Sequence, residues 1–209
     1  KTAYEITYGD WSSDVCSSDL LGWHLALGAE HAIVYDNESR DDLRTVLRPY
    51  QANGLVTLID WPGRGRQLDA WAHAVEVAGA GFAWLALIDA DELIVPHRDP
   101  DIAAMPERLD DADQVLLPMR DFGYSGRREP ADDLSFATYV SASESLPRYG
   151  DQARHRMKAI VRPGAVTTVR VHGCRTRYGR SVDAAGRPVP ERYRPPIGTT
   201  GLYEVAQVN

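Results

Sequence analysis

An apolar run of strand length that stops against carboxylates constrains this chain more than any other feature. It reads Phe82-Ala83-Trp84-Leu85-Ala86-Leu87-Ile88 and continues Asp89-Ala90-Asp91-Glu92-Leu93. A run that is apolar at successive positions is buried on both faces, as in a central strand of a parallel sheet. Open α/β sheets bind their ligands just beyond the carboxyl ends of such strands, where Asp89 and Asp91 fall. In extended chain the two side chains point the same way, with Cα atoms roughly 7 Å apart. Two hard oxygen donors at that spacing suit a divalent cation, which can neutralise a phosphate-bearing substrate. Capping of a following helix or turn uses the same residue types, and the Asp-x-Asp alone does not separate the two readings.

The first twenty residues read as something other than domain. Lys1-Thr2-Ala3-Tyr4-Glu5-Ile6 and residues 10–20 back-translate, in one frame, into the two constant arms of a common short-read sequencing adapter. The expected organisation is therefore an adapter-derived segment over 1–20 and a domain over 21–209, cut at both ends. Residues 1–20 carry Lys1 against Glu5, Asp10, Asp14 and Asp19, so the formal charge of −7 becomes −4 for the remainder. Cys16 is set aside with them and Cys174 stands alone, which excludes an intrachain disulfide and points to a reducing compartment. No apolar run approaches the roughly 18 residues of a membrane span. The expected location is cytoplasmic, at the inner face of the membrane at most.

From residue 21 the pattern alternates helix and strand. Residues 21–27 end a helix stopped by Gly28, and residues 31–35 form a strand. Residues 42–50 carry Leu43, Val46 and Leu47 at helical spacing, and Asn53-Gly54 turns the chain into a strand over 55–59. Helix 67–78 shows the stripe Leu68, Trp71, Ala74, Val75 and Ala78 before the strand that enters Asp89. Such alternation argues for a doubly wound, mostly parallel sheet. Beyond Pro96, residues 99–113 read as an acidic, solvated helix and 114–118 as a strand. Residues 148–180 hold nine Lys or Arg against one acid, Asp151. The Pro-, Arg- and Gly-rich tail, 186–200, reads as loop.

Several short motifs occur in a fixed order. They are Trp23-His24-Leu25-Ala26-Leu27-Gly28, Val34-Tyr35-Asp36-Asn37-Glu38-Ser39-Arg40-Asp41, Arg66-Gln67, Asp89-Ala90-Asp91-Glu92-Leu93, Phe122-Gly123-Tyr124-Ser125-Gly126, Lys158-Ala159-Ile160-Val161-Arg162-Pro163 and Val171-His172. In that order the chain resembles bacterial glycosyltransferases of the family 2-like and family 92 groups over most of 21–209. The resemblance implies a GT-A fold, a nucleotide-binding α/β sandwich with a mostly parallel central sheet, its first strand here missing. It also implies an Asp-x-Asp metal site that holds a nucleotide-diphosphate sugar. Residues 204–209 resemble the approach to a His-Tyr segment that would carry a further metal-binding histidine.

Under that resemblance Asp89 and Asp91 ligate Mn²⁺ or Mg²⁺, with His172 as a third ligand or a structural residue. Asp36 and Asn37 contact the nucleobase or ribose, an Asx turn being the alternative; Asp41 reads as a helix cap. Arg66 and Gln67 open a helix whose amides favour an anion. Lys158 and Arg162 lie in the basic stretch and suit an anionic substrate, whether the donor's diphosphate or an acceptor carrying phosphate or carboxylate, and Asp89 meets the diphosphate through its cation. Asp121, or Glu129, is the expected base for the acceptor hydroxyl. His24 reads as structural.

The expected function is a metal-dependent transfer of sugar from a UDP- or GDP-sugar to a glycan or related hydroxyl acceptor, in polysaccharide assembly. One alternative is a nucleotidyltransferase on a similar sheet, which would show a Gly-rich, Lys-containing phosphate loop. The other is a basic module binding nucleic acid or anionic lipid through 148–180. Few aromatics interleave that stretch and the domain is net acidic, both of which weigh against nucleic acid.

Overall fold

Aliphatic runs separated by amphipathic segments give the first half of the chain a regular strand–helix alternation. The computed structural model describes residues 2–7, 14–123, 125–126, 135–138, 140–142, 148–149, 152–153, 156–189 and 203–209, and only the backbone at 2–7, 14–17, 135–136, 148–149 and 152–153. In chain order these give β1 (Thr2–Thr7), α1 (Asp14–Ala26), β2 (His31–Asp36), α2 (Leu43–Ala52), β3 (Val56–Asp60) and α3 (Gln67–Ala78). There follow β4 (Trp84–Asp89), β5 (Ile94–Pro96), α4 (Ala104–Arg108), β6 (Gln114–Pro118) and α5 (Ser135–Thr138). The remaining strands are β7 (Arg148–Tyr149), β8 (Gln152–Ala153), β9 (Met157–Val161), β10 (Val166–Thr168), β11 (Arg175–Thr176), β12 (Ser181–Asp183) and β13 (Ala206–Val208).

Seven strands form the main sheet in the order β12-β6-β9-β4-β1-β2-β3. Only β9 runs against the rest, pairing antiparallel with β4 on one side and β6 on the other. The sheet is thus the mostly parallel α/β arrangement read from the sequence. β4 is buried along its length, as its apolar run predicts: Leu85 and Leu87 pack on Trp71, Ala74 and Ala78 of α3. Trp84, Ala86 and Ile88 face the opposite side, against Ile94, Ile102 and Met105. Leu43 and Leu47 of α2 cover Ala32 and Val34 beside Leu20 and Leu21 of α1. Gly28 ends α1's turn at φ +94°, a backbone region that favours glycine.

Two expectations change. Residues 2–7 pair within the sheet, at the slot where a missing first strand was expected. β1 lies between β4 and β2, parallel to both, with Thr7 level with Asp89 and Tyr35; α1 runs across position 20. The gap between β2 and β4 exposes two rows of unpaired backbone groups, and Thr2-Ala3-Tyr4-Glu5-Ile6-Thr7 has the β-branched and aromatic content to satisfy both, whatever its origin. Residues 99–113 also differ, since only the five residues of α4 are helical. Pro106 removes a helical donor, and Ile102 and Met105 are drawn into the core instead of lying on a solvated face.

Candidate functional site

The parallel register sets three carboxylates along one edge of the sheet. Asp36 pairs with Asp60 at the ends of β2 and β3, and Asp89 ends β4 across β1. The chain leaves β4 in a turn, the Glu92 amide donating to the Asp89 carbonyl at 3.1 Å. Asp89 and Asp91 are therefore not in the extended geometry expected of them. Asp91 sits exposed on the turn and makes no hydrogen bond or ion pair among the described residues.

Asp89 is held from both sides. Its Oδ1 accepts from Gln67 Nε2 at the start of α3, and its Oδ2 from Lys158 Nζ at 2.8 Å. The same ammonium lies 3.0 Å from Glu92 Oε2 and 4.9 Å from the centre of the Trp71 ring. Lys158 is 1% exposed and is the charged residue of a strand whose other members are Met157, Ala159, Ile160 and Val161. Glu92 Oε2 also accepts from the Asp89 amide at 2.8 Å, closing the turn on itself. Burial pushes the Glu92 carboxyl up to about 7, against the opposing pull of Lys158.

The far end of the turn is fastened by α1. Trp23 Nε1 donates to the Ile94 carbonyl at 2.8 Å, and the Ile94 amide donates to His24 Nε2 at 3.2 Å. His24 Nδ1–H donates in turn to the Leu20 carbonyl at 2.8 Å. The imidazole is thus neutral and structural, as read from the sequence, and burial pushes its pKa down to about 4. Leu93 and Asn209 exchange two backbone hydrogen bonds at 2.9 Å, which brings β13 alongside.

At the ends of β2 and β3 the polar groups are taken up internally. Asp36 Oδ1 accepts from the Ser39 amide at 2.8 Å, the Asx-type turn given above as the alternative. Its Oδ2 pairs with Arg44 at 3.0 Å, and Arg44 also bridges to Asp60. Asn37 Nδ2 donates to the carbonyls of Trp61 and Gly63, each at 2.6 Å. Arg66 precedes α3, stacks 4.7 Å from the Trp61 ring centre and pairs with Asp69.

Among the described residues the basic stretch does not form one patch. Arg162 packs 4.1 Å over Trp84 and donates to the carbonyls of Ala112 and Asp110 at 3.0 and 2.7 Å. That is the amino-terminal end of β4, the edge opposite Asp89, so Arg162 is not beside the carboxylates. Arg162→Met is expected to lower stability by about 1–2 kcal/mol. A urea melt checks this, and an unchanged midpoint would contradict the placement. Arg156 pairs with Asp121, and Arg180 with Asp113.

His172 donates from Nδ1 to the Met157 carbonyl at 3.2 Å. Continuing the β4–β9 register by two residues sets Met157 level with Asp89, so His172 lies at the right edge. Among the described residues no three His, Cys, Asp or Glu side chains are grouped to hold a metal. Asp121 follows β6 on the same edge, ion-paired and half-exposed. Nearby, Ser125 Oγ accepts from the amides of Val140 and Ser141 at 3.0 and 3.1 Å. Glu129 and most of the tail lie outside the described residues.

The sequence profile of Glycosyltransferase family 92 matches residues 19–192. The chain belongs to that family. The fold of this family 92 chain is the GT-A type of sandwich. No curated protein sequence matches it. Among solved structures it is similar to S. aureus TarS 1-349 in complex with UDP (14% identity, TM-score 0.49), covering 79% of this chain and 47% of that one. HddC from Yersinia pseudotuberculosis is similar at 14% identity and TM-score 0.45, over 78% and 77%. A 4-diphosphocytidyl-2C-methyl-D-erythritol synthase is similar at 15% and 0.41, over 79% and 75%. The family 92 chain spans about half the length of the TarS chain it resembles.

A cation at this turn would have to take most of its ligands from outside the described side chains. Mg²⁺ and comparable ions are commonly held by one or two carboxylates, with substrate phosphates completing the shell. An exposed, unpartnered Asp91 beside an internally satisfied Asp89 suits that pattern better than an all-protein cage. Sequence reasoning missed Glu92, Arg44 and Asp60. The third carboxylate of Asp89-Ala90-Asp91-Glu92 was the signal for Glu92. The matching Asp at the end of the neighbouring strand was the signal for Asp60.

Proposed function

We propose that this chain forms the donor-binding part of a glycosyltransferase that moves a sugar from a UDP- or GDP-sugar to a hydroxyl of a glycan or related acceptor. The supporting observation is the Asp89–Glu92 turn, fastened at both ends at the carboxyl edge of a family 92 sheet, with Asp91 turned to solvent.

When the sugar–phosphate bond breaks, its electron pair goes to the departing diphosphate, whose charge must be met. Mn²⁺ or Mg²⁺, when bound, would supply positive charge there, with Asp91 as the protein carboxylate. Gln67 and Lys158 hold Asp89 at the start of the turn that carries Asp91. Asp36 and Asn37 shape the nucleoside side of the edge by fixing the loops after β2 and β3. Asp121, oriented by Arg156, takes the acceptor hydroxyl's proton as the bond to the sugar forms.

The test is a thermal shift of the chain with UDP and with GDP, each with and without Mn²⁺, beside Asp91→Asn. At a hundredfold excess over Kd one nucleotide should stabilise by about 2.7 kcal/mol in the presence of the ion. The shift should vanish in Asp91→Asn. A cooperative melt unmoved by either nucleotide would overturn the proposal.

A further inference from the structure

The charged group buried deepest at this edge is Lys158, and its position is unusual for a residue meant to greet a phosphate. Its stem belongs to β9, every residue of which is buried, and its side chain is 1% exposed, with the ammonium against the Trp71 ring. Its two polar contacts are both with carboxylates of the Asp89–Glu92 turn. Asp89 Oδ2 lies at 2.8 Å and Glu92 Oε2 at 3.0 Å, while Glu92 is tied back to the Asp89 amide. Gln67 occupies the other Asp89 oxygen.

We propose that Lys158 is an internal counter-ion that withholds Asp89 from the cation, so that Asp91 is the one protein carboxylate offered to it. This rests on the metal-assisted reading above and specifies how the site's affinity is set. A divalent cation approaching Asp89 would approach the Lys158 ammonium, held 2.8 Å from Asp89 Oδ2 and itself buried. Asp91, exposed and without a partner among the described residues, carries no such penalty. One carboxylate binds a hard cation weakly, and additional charged oxygens tighten it. Cation binding to the protein alone is therefore weak and becomes tight when a diphosphate contributes its oxygens. Lys158 and Glu92 act as positioning residues in this scheme: they touch Asp89, not the reacting atoms.

Mn²⁺ binding to the 209-residue chain, followed at pH 8 through the spin-resonance signal of the free ion, tests this without any turnover. The comparison is between the parent, Lys158→Met/Glu92→Gln and Asp89→Asn, each without nucleotide and with UDP or GDP. The double variant loses one positive and one negative charge, so its formal net charge equals the parent's. It should bind Mn²⁺ alone about tenfold more tightly, because Asp89 is released as a second ligand. Its gain from added nucleotide should shrink accordingly. Asp89→Asn should stay within about twofold of the parent for Mn²⁺ alone, since a residue already withheld contributes little. Equal or weaker binding by a cooperatively melting double variant overturns the inference, as does a tenfold loss in Asp89→Asn. If the double variant does not fold, Asp89→Asn decides by itself. A parent that binds Mn²⁺ neither alone nor with nucleotide removes the metal-assisted reading, and this inference with it.

Discussion

Lys158→Met alone is expected to cost the fold about 3–5 kcal/mol, read as a fall in the urea midpoint at unchanged slope. The ammonium stands between two carboxylates, and the more buried of them, Glu92, has almost no access to water. Removing the cation leaves that carboxylate charged in a low dielectric or forces it to take up a proton. Asp89 is a third exposed, so solvent compensates part of its loss and Glu92 carries most of the effect. Adding Glu92→Gln should recover most of the stability, because a neutral amide replaces the stranded charge. The double-variant cycle would therefore show strong coupling between the two positions. A single-variant loss below about 1 kcal/mol would mean that the ammonium does not bridge these groups.

Acid should produce the second large effect, through His24. Its pKa falls from an ordinary 6.5 to about 4 because burial disfavours the imidazolium. The unfolded chain therefore takes up this proton at a higher pH than the folded one. Stability from the neutral ring is complete above about 6.5 and is lost as the pH falls toward 4, by about 3 kcal/mol in all. Urea unfolding at pH 7.5 and 4.5 would measure it. Carboxylates elsewhere also titrate in this range, so the decisive quantity is the difference from His24→Gln, whose stability should fall less by about that amount. Parallel losses in the two proteins would count against a buried neutral His24.

The local elements were readable because local physics decides them. The stripe Leu68, Trp71, Ala74, Val75 and Ala78 predicts α3 over 67–78, the bounds observed. The uninterrupted run into Asp89 predicts a strand buried on both faces, as β4 is. Long-range pairing was not readable. Lys158 and Arg162 are four residues apart and look like one basic cluster, yet they stand at opposite ends of β9, roughly 13 Å apart at strand rise. One enters the site; the other serves Trp84 and the loop at 110–112. The clue lay within the strand, where a single lysine among Met157, Ala159, Ile160 and Val161 has to be buried with a partner. The solvated helix expected over 99–113 failed for a similar reason. Its charges suggested water, while Ile102 and Met105 found the core. In the turn of Asp89 onto Glu92 a side chain reaches back to the amide three residues earlier, the capping use of these residue types that the sequence left open beside metal binding.

The fastening of Ile94 by Trp23 and His24 bears on how a ligand meets this edge. A loop that becomes ordered only on binding surrenders its conformational freedom at that moment, roughly 1–2 kcal/mol for each residue fixed. Here residues 89–94 are already clamped, by Lys158 at one end and by the indole and imidazole at the other. Their entropy is lost when the protein folds, and an arriving nucleotide does not lose it again. The Ile94 amide should accordingly exchange with deuterium at nearly the same slow rate with and without nucleotide.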